Sequence, residues 1–200
     1  MSVVMDRLMN NLRIRLPGAI DDAIKLEVYN TLNDFFQGSN IWREDLDIAI
    51  TSGETYYDLL PTGPCNLVRL IGVVNSDNLK VDALIDLITR QLVLALEPTS
   101  ADTYTAQVVL TVADPLDRDS YPVFPEWVLD LYMNDITDGV LGRMMSQPAK
   151  PYSNTQLAAF HTRSFQSAIA TARVESNRRY AYGAQRWRFP QAFNRHKVRR

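Results

Sequence analysis

The sequence predicts an α+β protein: a three-helix bundle with an inserted small antiparallel β-sandwich or barrel, followed by an extended C-terminal tail. Three observations carry this. Apolar residues recur every three or four positions over 19–37, 125–147 and 153–176, the period of a helix with one buried face. Between the first two stretches, 39–114 breaks into short Val-, Leu- and Ile-rich runs separated by turns. Beyond 176 neither period holds, and the chain becomes basic and aromatic. The expected organisation is residues 1–38 and 115–176 as a helical bundle, 39–114 as a β module, and 177–200 as a docking tail.

Length and composition set outer bounds. A chain of 200 residues, 46% hydrophobic and 22% charged, can bury a sizeable core and is ordinary for a soluble globular protein. No apolar run approaches the roughly 18 residues of a membrane span. The opening residues lack the basic-then-apolar layout of a signal peptide. One cysteine, Cys65, excludes an internal disulfide framework. These features point to an intracellular product, one that can still end up inside an extracellular particle.

Residues 2–16 mix Leu8, Leu12, Ile14 and Leu16 with Arg7, Arg13 and Arg15, which allows a short helix or an arm on a neighbour. The first clear helix, 19–37, carries Ile20, Ile24, Val28, Leu32 and Phe35 on one stripe. Asp21 and Asp22 suit its positive first turn, and Gly38 suits a stop. Leu46, Ile48 and Ile50 alternate with Asp45, Asp47 and Ala49, as in a half-buried strand. A turn at Ser52, Gly53 and Glu54, followed by a return through 55–59, signals a hairpin. A buried strand is expected over 66–74, a helical turn near 82–87, and two more strands over 91–96 and 104–113. Pro125 suits the start of the second helix, whose stripe includes Trp127, Leu131, Ile136, Val140 and Met144. Ser153 or Asn154 caps the third, with Leu157, Phe160, Phe165, Ala168, Ile169 and Ala172 facing inward. Gly139, Gly142, Ala158 and Ala159 permit close helix approach.

Chemistry-bearing residues are sparse. His161 and His196 are far apart and have no cysteine near them, so neither a metal site nor a cofactor is expected. Cys65 lies between Pro64 and Asn66 with no base at motif spacing and reads as a buried small residue. Asp45 and Asp47 share a strand face, and Asp135 and Asp138 share a helix face; both pairs read as solvated surface. No nucleophile-elbow or phosphate-loop motif is present, so the chain is not expected to be an enzyme.

The charge distribution is more telling. Residues 173–200 hold nine Lys/Arg against Glu175, about +8, while the preceding 172 hold twelve Lys/Arg against twenty-two acids, about −10. Aromatic residues are interleaved with the arginines. Such a segment can be a docking arm for a protein, a nucleic-acid contact working through phosphates and stacking, or a solubilising terminus. As an arm, its anchors are Arg178, Arg179, Tyr180, Tyr182, Arg186, Trp187, Arg188, Phe189 and Phe193.

Certain residues carry a family resemblance. They are Phe35, Phe36, Trp42, Arg43 and Glu44 after a helix, then the turn at Ser52, Gly53 and Glu54. Phe124, Trp127 and Asp130 follow, then Gly139 to Arg143, Gln147 to Asn154 and the helix beyond. Across roughly residues 17–176 the pattern resembles the head-to-tail adaptor, or connector, proteins of tailed bacteriophages. The resemblance implies a structural virion protein made in the host cytoplasm and placed at the head–tail junction. It implies homo-oligomeric rings, usually of twelve subunits, between the portal and tail or nozzle proteins. Genomic DNA would pass through without sequence specificity, no membrane would be involved, and the C-terminal extension would dock on the portal. The alternative is a DNA-binding module using the same basic-aromatic tail.

Overall fold

A computed structural model describes residues 3–114 and 121–179. The described elements are α1 (Val3–Arg15), α2 (Asp21–Ser39), β1 (Arg43–Ile50), β2 (Tyr56–Asp58), β3 (Cys65–Val74) and β4 (Lys80–Val81). They continue with β5 (Ala83–Asp86), β6 (Gln91–Leu94), β7 (Asp102–Val112), α3 (Trp127–Met145) and α4 (Thr155–Arg179). The strands form two antiparallel sheets, ordered β1-β7-β3-β4 and β2-β6-β5. The protein is therefore α+β, with the strands between the second and third helices.

Helix formation follows the apolar stripes. On α2, Ile24, Val28, Leu32, Phe35 and Phe36 are buried at helical spacing, and Asp21 and Asp22 sit in the first turn. On α4, Asn154 caps the start: its Oδ1 accepts the Leu157 amide at 3.1 Å. A first core unites α1, α2, α3 and α4 with Ile41 and Val112. A second joins Ile48, Ile50, Tyr57, Leu59, Leu92, Leu94, Val108 and Leu110 between the strands. Trp42 is packed against both. α2 also lies against β7, where the Thr111 hydroxyl donates to Asn33 at 2.8 Å.

Close approach of the helices depends on glycines. A Cβ on Gly139 would lie 2.4 Å from Thr31 on α2 and 2.9 Å from Phe165 on α4, so three helices meet where only hydrogen fits. A Cβ on Gly142 would lie 2.7 Å from the Thr162 hydroxyl. Ala158 is buried in the helical part, but Ala159 faces solvent. Arg143 adds a polar link from α3 to α2, bonding Asp34 and approaching Glu27 to 3.7 Å.

The structure corrects several expectations. Residues 3–15 form the short helix that the sequence allowed, a fourth beside the three expected, and its stripe, Met5, Leu8, Met9 and Leu12, is buried; the methionines complete a face that the flanking arginines obscure in the sequence. Gly38 does not stop α2. It lies inside the helix, where a Cβ would meet Ile169 at 2.6 Å, and the stop is Asn40, left-handed at φ 53°. The turn at Ser52–Glu54 exists, but its flanks are not paired: β1 pairs with β7, and β2 with β6 in the other sheet. The Tyr57 hydroxyl donates at this corner, lying 2.9 Å from the Thr51 carbonyl and 2.8 Å from the Glu54 carbonyl. Residues 82–87 are not helical. β5 pairs with β6, so the apolar run there serves a strand. β3 is less buried than its composition suggests, with only Cys65 and Val73 fully inside. Two register shifts in β3 bend it, and Arg69 beside one shift donates to the Gln37 carbonyl at 3.2 Å, satisfying a C-terminal carbonyl of α2.

Gly139→Ala tests the three-helix contact. Alanine gains about 1 kcal/mol of helix propensity, but overpacking costs about 1–3 kcal/mol, and neither Thr31 nor Phe165 can withdraw freely. We expect a net loss of about 1–2 kcal/mol in chemical denaturation; a stabilised variant would contradict this packing.

Candidate docking site

α4 delivers the basic-aromatic segment, and its last turns are fixed to the joint between the two cores. Because Asn40 is left-handed, its carbonyl is turned out of the α2 ladder. That oxygen accepts the buried Ser176 hydroxyl at 2.7 Å and Arg43 Nε at 3.0 Å. Arg43 Nη2 also donates to Asn177 Oδ1 at 2.9 Å. One residue before Ser176, the Tyr132 hydroxyl donates to the Glu175 carboxylate at 2.7 Å. α3 is kinked at Tyr132 (φ −122°, ψ 19°), and its ring lies 5.1 Å from Phe35. Burial, reinforced by the Glu175 carboxylate, pushes the Tyr132 phenol up to about 12.

Of the sequence-predicted anchors, Arg178 and Arg179 are exposed and belong to α4 rather than to an extended tail. Cations suit the negative end of a helix, and no glycine or proline interrupts the chain before Gly183. Tyr180, Tyr182, Arg186, Trp187, Arg188, Phe189 and Phe193 lie outside the described residues.

Beside this point runs a groove absent from the sequence reading. Tyr132 and Asp135 of α3 and Phe160, Ser164, Ser167 and Thr171 of α4 line it. Phe160 is 64% exposed and Leu157 is exposed beside it, contrary to their assignment to the inner stripe. The inner face of α4 is carried by Ala158, Phe165 and Ala172 instead. A signal was present: positions 157, 160, 164, 167, 171 and 174 repeat at alternating three- and four-residue spacing, a second seam on the same helix.

Asp135 and Asp138 are not a plain solvated face. Asp138 Oδ1 lies 2.9 Å from His161 Nδ1, and Asp138 Oδ2 accepts the Ser164 hydroxyl at 2.7 Å, so this carboxylate ties α3 to α4. Asp135 is half-buried, and burial together with the neighbouring Asp138 raises its carboxyl above the usual range. Asp45 and Asp47, by contrast, are exposed on β1. They accept Gln107 Nε2 at 2.9 Å and the Thr105 hydroxyl at 2.7 Å from β7.

Burial, then Glu44, raises the Cys65 thiol, which makes it a poor nucleophile. Among the described residues no cluster of three or more His, Cys, Asp or Glu could hold a metal ion, and no helix is long and apolar enough to cross a membrane. No family model matches the chain, and no curated protein matches it.

The Tyr132 phenol gives a spectroscopic test. Its raised value means that the folded state favours the neutral form. The resulting stability is complete below the unfolded value near 10 and is lost as pH rises through about 12. In a rapid pH jump monitored by phenolate absorbance, the last tyrosine step should fall near 12 and vanish in Tyr132→Phe. Glu175→Gln should move it downward; an unmoved step would remove the carboxylate from the account.

Proposed function

We propose that this chain is a structural virion protein, an adaptor subunit that assembles into a ring joining the capsid portal to the tail and lining the DNA exit channel. In this reading the helical part forms a bundle that packs side by side with its sisters, the β module faces tail or nozzle components, and the segment beyond α4 docks on the portal. The observation that carries it is the fixed end of α4. Ser176 and Asn177 are held at the joint between the two cores, and beyond Arg179 the sequence continues with 21 residues that include six Lys/Arg, five aromatic residues and no acid. A solubilising terminus needs neither a fixed root nor aromatic rings. Planar guanidinium groups and flat rings are the side chains that dominate protein interfaces.

Contact with DNA through the same residues is the second reading, and the segment's charge favours it. The acidic remainder of the chain opposes it, because phosphates are repelled everywhere else.

Deletion of residues 180–200 separates the two. The truncated chain should keep its fold, since the anchoring contacts through Asn177 remain, and should fail to capture a portal in a pull-down. Undiminished capture would remove the assigned role. Labelled duplex DNA titrated at two salt concentrations should show no tight, steeply salt-dependent binding. Such binding, lost on the same deletion, would transfer the role to DNA.

A further inference from the structure

We propose that the outer face of the β2-β6-β5 sheet of one copy packs against the outer face of α1 of a second copy. This goes beyond the adaptor reading, since it needs neither portal nor tail protein, and it occupies one face of the β module only.

The sheet face departs from the usual pattern of an antiparallel sheet, whose solvent side is polar. Tyr56 and Leu84 both lie opposite Val93, so they form one row across the three strands. Leu60 and Ile88 stand exposed at the turn end of the same sheet, where the Leu59 amide donates to the Arg90 carbonyl at 2.9 Å. Leu84 is 74% exposed and Ile88 94%. The inner row, Tyr57, Leu92 and Ile85, belongs to the core between the sheets, so these outer residues are not a spare part of it. Ile88 is also fixed in place, because Asp86 Oδ1 accepts its amide at 2.9 Å. Exposed apolar surface on a rigid element marks a contact site.

Carboxylates bracket the apolar row. Asp58 and Asp86 both lie opposite Gln91, two residues along from Tyr56 and Leu84 and therefore on the same face. Asp82 flanks the row on the other side; its carbonyl accepts the Ala95 amide at 3.0 Å, which continues the register by one pair. None of the three forms an ion pair among the described residues. No Lys or Arg stands in these rows.

The complement is the outer side of α1. Val3, Arg7, Asn10 and Ile14 recur at helical spacing opposite the buried stripe, and all are exposed, as is Arg15. Arg13 is taken by Asp21 at 2.7 Å, but Arg7 and Arg15 form no ion pair among the described residues. Dimensions agree as well as charge. Asp82 and Asp86 are about 13 Å apart along their strand at 3.3 Å per residue. Arg7 and Arg15 are about 12 Å apart along the helix at 1.5 Å per residue. An acidic face with an apolar row thus meets a helix with exposed aliphatic residues and two free arginines, and such complementarity selects a partner.

That partner is a second copy. α1 is seated on the helical core by its inner stripe, and both outer faces are exposed in the same fold, so neither covers the other within one chain. They are different surfaces of one protomer, so the contact is heterologous and repeats from copy to copy.

The test uses the full chain in sedimentation velocity over a concentration series, with no portal present. The chain should self-associate as concentration rises. Arg7→Glu with Arg15→Glu, and separately Asp58→Lys with Asp82→Lys, should each weaken association about a hundredfold, about tenfold for each reversed charge. All four side chains are exposed, so the fold persists. An equimolar mixture of the two double variants should regain the original association, because the reversed helix of one meets the reversed sheet of the other. A chain that stays monomeric, a double variant that associates as before, or a mixture that fails to regain association would overturn the proposal. Deleting residues 180–200 should leave association unchanged; its loss would give the sheet face to that segment instead. Failure of any of these leaves the portal reading standing, because portal capture is measured separately.

Discussion

The aromatic junction at the end of α2 is the contact on which the rest of the architecture depends. Phe35 and Phe36 are consecutive, both fully buried, and on a helix consecutive residues point about 100° apart. They therefore serve different partners. Phe35 meets Tyr132 and Phe165, binding α2 to α3 and α4; Phe36 meets Trp42 and Phe124, binding α2 to the strand entry. Trp42 then touches both cores. Three residues thus set the position of the β module relative to the helices, and burying such large rings contributes more than any surface ion pair in the chain.

The left-handed turn at Asn40 follows from the same constraint. Phe36 and Trp42 can meet only if the chain reverses sharply between them, and Asn40 supplies that reversal. The turn exposes its carbonyl, and Ser176 and Arg43 satisfy it. One backbone conformation at the end of α2 thereby positions the end of α4, some 136 residues later in sequence. The end of α4 is held there by hydrogen bonds of Ser176 and Asn177.

Polar side chains between α3 and α4 divide the helical surface into a closed part and an open part. Gly139 and Gly142 bring the helices together, and Asp138 fastens them through His161 and Ser164. One turn away, Asp135 has the same chemistry but no hydrogen-bond or ion-pair partner among the described residues, and there the surface opens into the groove.

Periodicity by itself determined the α+β class, most of the stripes of α2 and α3, the existence of α4, and most of the strands, because burial of one face leaves a repeat that needs no partner to be seen; Ile20, Trp127 and Leu131, read as part of those stripes, are exposed instead. Composition by itself marked the segment beyond α4, since its charge and rings are independent of fold. Only the tertiary structure decided the pairing of β1 with β7 and of β2 with β6, because strand register depends on residues some sixty positions distant or some thirty-five. It alone decided that 83–86 is strand, where a short apolar run suits either state. It moved Gly38 from stop to contact and turned Leu157 and Phe160 outward. The acids at 135 and 138, alike in sequence, were separated for the same physical reason: what a side chain does is fixed by what the neighbouring helix places opposite it.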